Sequence, residues 1–274
     1  MNSMEKRMAE LLLELKENYN VCGVKAEFEA EGTRMEEAMR LKEVSLTAGL
    51  GLNLKIGGCE AIKDMFDATS LGAERVIAPM VETAYALKKY LNAINIGFGS
   101  VHKEDVEFLI NLETITAFKN FDEMLSLPEI KSLSGVVIGR VDLSGSMGLT
   151  REDINSDQVL DIALKIAEKA KSAGLKVVVG GGVSVHSLPF FKAFPEGHLD
   201  RFETRKVVFR CPEAINNPEE AFLKAVEFEL MWLKNKKNYY GAIHREDDAR
   251  LEMMEERYRN SINKLIYGKS NKAS

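Results

Sequence analysis

Ile110-Asn111-Leu112-Glu113-Thr114 is followed, one strand and one helix later, by Gly139-Arg140-Val141-Asp142-Leu143-Ser144-Gly145-Ser146. Each segment ends an apolar run, Val106 to Leu112 and Gly135 to Ile138, on a carboxylate where the chain must turn. The two carboxylates lie 29 positions apart, the length of one βα repeat. If the two runs are neighbouring parallel strands, Glu113 and Asp142 stand side by side at the carboxyl edge of the sheet. α/β folds and barrels keep their active sites at that edge. Two oxygen ligands there, with room for water and substrate oxygens, suit a magnesium ion held by few protein groups.

Outward from this pair, short apolar runs alternate with helical patterns along most of the chain. The runs 21–28, 51–56, 75–79, 93–98, 108–113, 135–140, 176–180 and 202–209 are expected strands. Periodicity predicts helices over 35–48, 60–71, 84–91, 115–125, 156–173, 185–193 and 218–234. Eight strands with helical gaps predict an α/β fold, a (β/α)8 TIM barrel. An open doubly wound sheet is the alternative. The chain is expected to be one domain, with an N-terminal helix over 1–20, the barrel over 21–235 and a C-terminal helix over 244–267. A polar turn, Asn235 to Gly241, is expected before that last helix. Leu251, Met254, Tyr258 and Ile262 then give it one apolar stripe at spacings of three and four. The stripe packs on its own barrel or on a neighbouring subunit, and the second is favoured because the barrel's outer helices are already complete. A homo-oligomer is therefore expected, built on dimers, with a hexamer as the larger alternative.

Composition bounds the function. The 274 residues are 45% hydrophobic and 29% charged, enough to bury a large core. A net charge of −5 gives no electrostatic case for nucleic acid or an anionic membrane. No apolar run approaches the roughly 20 residues needed to span a bilayer, and the amphipathic N-terminus lacks a signal-peptide core. Cys22, Cys59 and Cys211 have no metal-like spacing and suit reduced thiols in the cytoplasm.

Charge within the strands points to the barrel interior. Lys25, Glu27 and Glu29 share one face of the first strand, Asn53 and Lys55 one face of the second. Asn111 with Glu113, Arg140 with Asp142, and Glu203 with Arg205 do the same in later strands. In a barrel the apolar sets face the helices, leaving these charged sets in the lumen. Buried charges must pair, bind metal or meet a ligand. An amphipathic surface strand explains any one of them, but parallel βα units have no solvent-facing sheet face.

With those residues in view, the chain resembles the HpcH/HpaI aldolase and citrate lyase β-subunit family. Three motifs carry the resemblance: Asn111-Leu112-Glu113-Thr114, Gly139-Arg140-Val141-Asp142-Leu143-Ser144 with Met147-Gly148, and Ala78-Pro79-Met80-Val81-Glu82-Thr83. Lys55-Ile56-Gly57-Gly58 and Glu203-Thr204-Arg205-Lys206 add weaker support. The resemblance implies a (β/α)8 barrel, a divalent ion, and chemistry on pyruvate-, oxaloacetate- or acyl-type substrates. It also implies oligomers in which the C-terminal helix crosses to a neighbour. Glu113 and Asp142 resemble the metal carboxylates, and Gly139, Arg140 and Val141 with Ser144 resemble the loop that receives a substrate carboxylate. Family aldolases usually present arginine where this chain has Lys55, and a catalytic histidine near the first strand where it has Lys25-Ala26-Glu27-Phe28-Glu29. Arg140 stands where the family often has a small residue or proline.

The expected metal is Mg²⁺, since oxygen-only ligands suit a hard ion, with Mn²⁺ able to substitute. Lys55 is the expected cation, with Arg140 and Arg205 as further candidates. Glu27 or Glu29 is the expected general base, and Glu82 a substrate-binding or acid/base group. Gly180-Gly181-Gly182 before Val183-Ser184 either cradles an anion or makes a tight turn. His102, His186, His198 and His244 read as loop or surface residues, His186 and His198 being nearest the expected site. The leading expectation is an Mg²⁺-dependent carbon–carbon lyase or aldolase acting through a metal-stabilised enolate. The alternatives are phosphoenolpyruvate-linked transfer or acyl-thioester hydrolysis on the same barrel, and a non-catalytic binding or assembly subunit.

Overall fold

Asn20, in the left-handed region at φ 59°, stops the helix Ser3–Tyr19 and turns the chain into the first strand. A computed structural model describes residues 1–99, 103–216 and 218–270. Its strands are β1 (Val21–Glu27), β2 (Leu52–Lys55), β3 (Arg75–Ala78), β4 (Glu107–Leu112), β5 (Gly135–Gly139), β6 (Lys176–Gly180), β7 (Arg201–Glu203) and β8 (Val207–Arg210). They close in that order into one barrel. Neighbours from β1 to β7 are parallel, whereas β8 runs antiparallel to both β7 and β1. The expected α/β barrel is therefore present, with its last strand reversed.

Two strands differ from the sequence reading, and the differences cancel in the count. Residues 93–98 were expected as a strand, but all except Phe98 lie in the helix Ala84–Gly97. Leu87, Tyr90, Leu91 and Ile94 recur at helical spacing and are buried, and the Thr83 hydroxyl caps the helix by accepting from Ala86 N at 3.1 Å. A six-residue apolar run does not separate strand from helix by period alone. The single strand expected over 202–209 is instead the hairpin β7–β8. Thr204 makes its turn by donating to Val207 O at 2.9 Å and accepting from Val207 N at 3.1 Å.

The polar turn expected at 235–241 does not form, because the helix Pro218–Ser270 runs through it unbroken. That stretch contains no proline, and ion pairs at i,i+4 follow it: His244–Asp248, Glu246–Arg250 and Glu255–Arg259. The chain divides into two compact units, Met1–Glu229 and Leu230 onward. In the second unit Leu230, Leu233, Leu251, Met254 and Tyr258 are exposed apolar residues on one helix. Among the described residues, no helix is long and apolar enough to cross a membrane.

Inside the barrel, side chains are layered. Ile77, Leu109, Val137 and Val178 form a buried apolar middle layer. Glu107 lies below it at the amino edge, with Arg75 at 2.9 Å, Arg201 at 2.6 Å and Lys176. Above it, Lys25, Lys55 and Asn111 reach the carboxyl edge. The alternate residues face outward, where Phe202 stacks between Phe191 at 4.8 Å and Phe209 at 4.9 Å.

Candidate active site at the carboxyl edge

A cavity of about 870 Å³ opens at the carboxyl edge of the strands. Its floor holds Lys25, Glu27, Lys55, Asn111, Glu113 and Glu203, with Asp142 and Arg205 also lining it.

Glu113, the residue after β4, is 2% exposed. Its Oε1 accepts from Met80 N at 3.0 Å, and its Oε2 accepts from Asn111 Nδ2 at 2.7 Å. Met80 sits in the left-handed region at φ 49°, just after β3, a strained conformation that aims its N–H at the carboxylate. Gly139 makes the space, since a Cβ there would lie 2.6 Å from Glu113 Oε2. Burial raises the Glu113 pKa above the usual carboxylate value, opposed by Lys55 and the two hydrogen bonds and assisted by the nearby charge of Asp142.

Asp142 belongs to the first turn of the helix Arg140–Ser146 and is exposed to the cavity. The sequence reading put it on a strand face shared with Arg140. Helical spacing instead turns the two side chains apart, and Arg140 is fully buried. Arg140 donates from Nε to Gly180 O at 3.1 Å, and from Nη2 to Gly181 O at 2.8 Å and Ser187 Oγ at 3.1 Å. It also bonds Asn155 and lies 4.9 Å over the Phe190 ring. Burial pushes its pKa down to about 10. Arg140 is therefore a clamp on the triple-glycine loop and does not line the cavity.

Lys55 ends β2 with its ammonium 3.1 Å from Glu29 Oε2 and 3.7 Å from Glu113 Oε2. Burial alone would lower its pKa, but Glu113, Glu27 and Glu29 outweigh burial and raise it. Glu29 pairs with Lys55 from outside the cavity lining. Arg205 stands in the β7–β8 turn, exposed, 3.7 Å from Glu31. Gly139 and Val141 line the cavity, whereas Ser144 and Glu82 do not. Ser144 donates to Val141 O at 2.9 Å within its own helix, and Glu82 accepts from Thr114 Oγ1 at 2.6 Å.

Gly181 and Gly182 adopt positive φ of 80° and 63°, and a Cβ on Gly181 would lie 2.8 Å from the backbone nitrogens of Arg140 and Val141. Glycine is required there by that close approach, in keeping with the tight-turn reading. His186, His198 and His244 stay off the cavity, and His102 lies outside the described residues. Sequence reasoning missed the partnership of Lys25 with Glu203, which joins β1 to β7 at 2.8 Å. The lumen alternation placed both residues inside but could not pair them.

Among the described residues no three His, Cys, Asp or Glu side chains form a ready metal cage. The donor set present still fits a hard cation that keeps several non-protein ligands. Glu113 and Asp142 offer oxygen to one cavity, and Lys25 and Lys55 leave the surrounding carboxylates in excess. Asn111 Oδ1 is buried with no hydrogen-bond partner among the described residues, so the site is one acceptor over.

Fold and site together define an α/β barrel with an acidic cavity at its carboxyl edge. Residues 54–182, from within β2 to the glycine turn after β6, match the family model described as HpcH/HpaI aldolase/citrate lyase. The matched segment, a little under half of the chain, holds all three motifs. Among solved structures it is similar to the citrate synthase SbnG, at 16% identity and a TM-score of 0.59, covering 84% of this chain and 90% of that one. An HpcH/HpaI aldolase from Desulfitobacterium hafniense matches at 13% identity and a TM-score of 0.58, covering 72% and 81%. A family protein from Burkholderia cenocepacia matches at 14% and 0.54, covering 70% and 90%. These likenesses are of fold. No curated protein matches the chain.

Proposed function

We propose that this protein is an Mg²⁺-dependent carbon–carbon lyase of the aldolase type, acting on a pyruvate-, oxaloacetate- or acyl-type substrate. The observation that carries the reading is Glu113: a carboxylate almost removed from water, oriented by Met80 and Asn111, and sharing its cavity with Asp142. Holding such a group in place against its desolvation is characteristic of functional sites. Glu113 and Asp142 would hold the ion, whose chemistry is to polarise the substrate's keto group and steady the charge that develops there.

The chain's own residues supply the rest. Lys55, kept charged by its acidic neighbours, is a fixed cation facing that developing charge. Glu27 lines the cavity and takes the proton. Gly139 and Val141 leave room for the substrate carboxylate, and Arg205 at the cavity margin suits the outer end of the substrate. The exposed stripe Leu230, Leu233, Leu251, Met254 and Tyr258 supports a homo-oligomer formed through the C-terminal helix.

Calorimetry with Mg²⁺ tests the core of this reading. Glu113→Gln and Asp142→Asn keep size while removing charge, and each is expected to weaken binding at least tenfold. Unchanged binding in both variants would sink it.

A further inference from the structure

The cavity floor carries one ion arrangement that the metal-lyase reading leaves unused. Lys25 is 7% exposed, and its ammonium lies 2.8 Å from Glu203 Oε1 and 2.9 Å from Glu27 Oε1. All three residues line the cavity. Their placement follows from the strands: Lys25 and Glu27 are alternate residues of β1, and Glu203 ends β7. Glu27 is paired in register with Lys55, so it stands between the Lys25 group and the Glu113 half of the floor. Glu203 occupies the far side of Lys25, against Gly180, where an added Cβ would come within 3.2 Å of its Oε1.

We propose that Lys25 is a positioning residue that holds Glu27 on the cavity floor as the proton-transfer group, with Glu203 as its counter-ion. The proposal rests on the metal-lyase reading above. An ammonium taken out of water must keep its partners, so Lys25 bridges the two carboxylates instead of swinging free. One carboxylate neutralises it, and the other retains surplus negative charge. Glu27 engages Lys25 through Oε1 at 2.9 Å, and its other oxygen, Oε2, is the one assigned to proton transfer.

The charged groups around Glu27 are Lys25 on its own strand, Lys55 on β2 and Lys206 from the β7–β8 turn, with Glu29, Glu31 and Glu203 as nearby acids. Burial opposes ionisation of Glu27, but Lys25, Lys55 and Lys206 together hold its pKa below the ordinary value. It is thus a carboxylate at neutral pH, as a base must be. In the step assigned to it, a C–H bond next to the substrate keto group breaks and the electron pair shifts toward the keto oxygen. The proton passes to Glu27 Oε2.

Exchange of the pyruvate methyl protons in D₂O with Mg²⁺, followed by NMR, reads this step without any aldehyde partner. Lys25→Met is expected to slow exchange at least tenfold at neutral pH and to move the acid limb of its pH profile upward, while Lys25→Arg restores most of the rate. In metal-free protein, the carbon-13 titration of the Glu27 carboxyl should move upward in Lys25→Met, a readout independent of turnover. If that variant does not fold, Lys25→Met with Glu203→Gln removes the cation together with its counter-ion, and the same titration is read. An unshifted Glu27 titration, or full exchange in Glu27→Gln, would overturn the proposal. Absence of exchange in the wild-type protein would count against the lyase reading on pyruvate, while the titration still decides the role of Lys25.

Discussion

The two ends of the barrel solve the same problem in opposite ways. Strand β4 starts on Glu107 and is followed by Glu113, so one strand delivers a carboxylate to each edge. At the amino edge Arg75, Arg201 and Lys176 converge on Glu107, and although burial opposes it they hold its pKa far below the usual range. At the carboxyl edge burial wins, and the Glu113 pKa rises despite Lys55 at 3.7 Å. The lower cluster is closed, with its carboxylate shared among cations. The upper one has carboxylates in excess, an unpartnered amide oxygen and an open cavity. Balanced charge fastens the strands together, and unbalanced charge waits for a ligand.

The largest expected effect comes from breaking the balanced end. Glu107→Ala leaves three cations facing one another, and chemical denaturation is expected to show a loss of about 3 kcal/mol, the low end for a buried pair because the carboxylate is partly exposed. The pH dependence has a definite sign. A depressed carboxylate contributes stability that is present above its ordinary value of 4.5 and lost as the pH falls below it. Wild-type stability should therefore drop on acidification, and Glu107→Ala should drop less steeply. Equal slopes would mean that the two ends do not differ as described.

Lys55→Ala tests the unbalanced end. Removing one fixed cation at a reacting centre costs roughly 10²–10³ in turnover, while calorimetry should show Mg²⁺ binding retained. Lys55→Arg should keep part of the activity. Borohydride with an α-keto acid should leave no adduct, because a Schiff-base amine must be neutral and Lys55 is surrounded by acids. A trapped mass on Lys55 would replace the fixed-cation role with a covalent one.

A subtler change separates position from charge. The Cβ of Gly139→Ala would meet Glu113 Oε2 at 2.6 Å, so the carboxylate must shift. Overpacking there is expected to cost roughly 1–3 kcal/mol and to weaken Mg²⁺ binding although no charge is lost. The smallest effect on the barrel should come from deleting residues 244–274. Light scattering should report a smaller assembly while Glu107-dependent stability and Mg²⁺ affinity stay as they were. An unchanged mass would remove the C-terminal helix from the oligomer interface.

Much of the upper end was legible in the sequence. Alternation along the strands put Lys25, Lys55, Asn111, Glu113 and Glu203 inside, and carboxylates at the ends of apolar runs marked the carboxyl edge. Arg140 was misread because Gly139 ends β5 one residue earlier than the pattern implied; a residue's direction reverses when strand gives way to helix. Arg205 was placed in a strand that is in fact the turn of a hairpin. Residues 93–98 looked like a strand because six apolar-rich residues carry too little period to exclude a helix.

The sequence by itself determined the barrel class, the edge where chemistry gathers and the residue types available there, because these follow from local periodicity and from where polar residues interrupt apolar runs. Only the tertiary structure decided which charges meet. The reversal of β8 belongs to the closure of the barrel, and the clamp of Arg140 on the glycine loop, the bridge from Lys25 to Glu203 and the convergence of three cations on Glu107 join residues from 32 to 178 positions apart. Closing the barrel brings such distant positions within hydrogen-bonding reach. No local pattern encodes those pairings, because pairing energy depends on distance and burial, and both exist only once the ring of strands has closed.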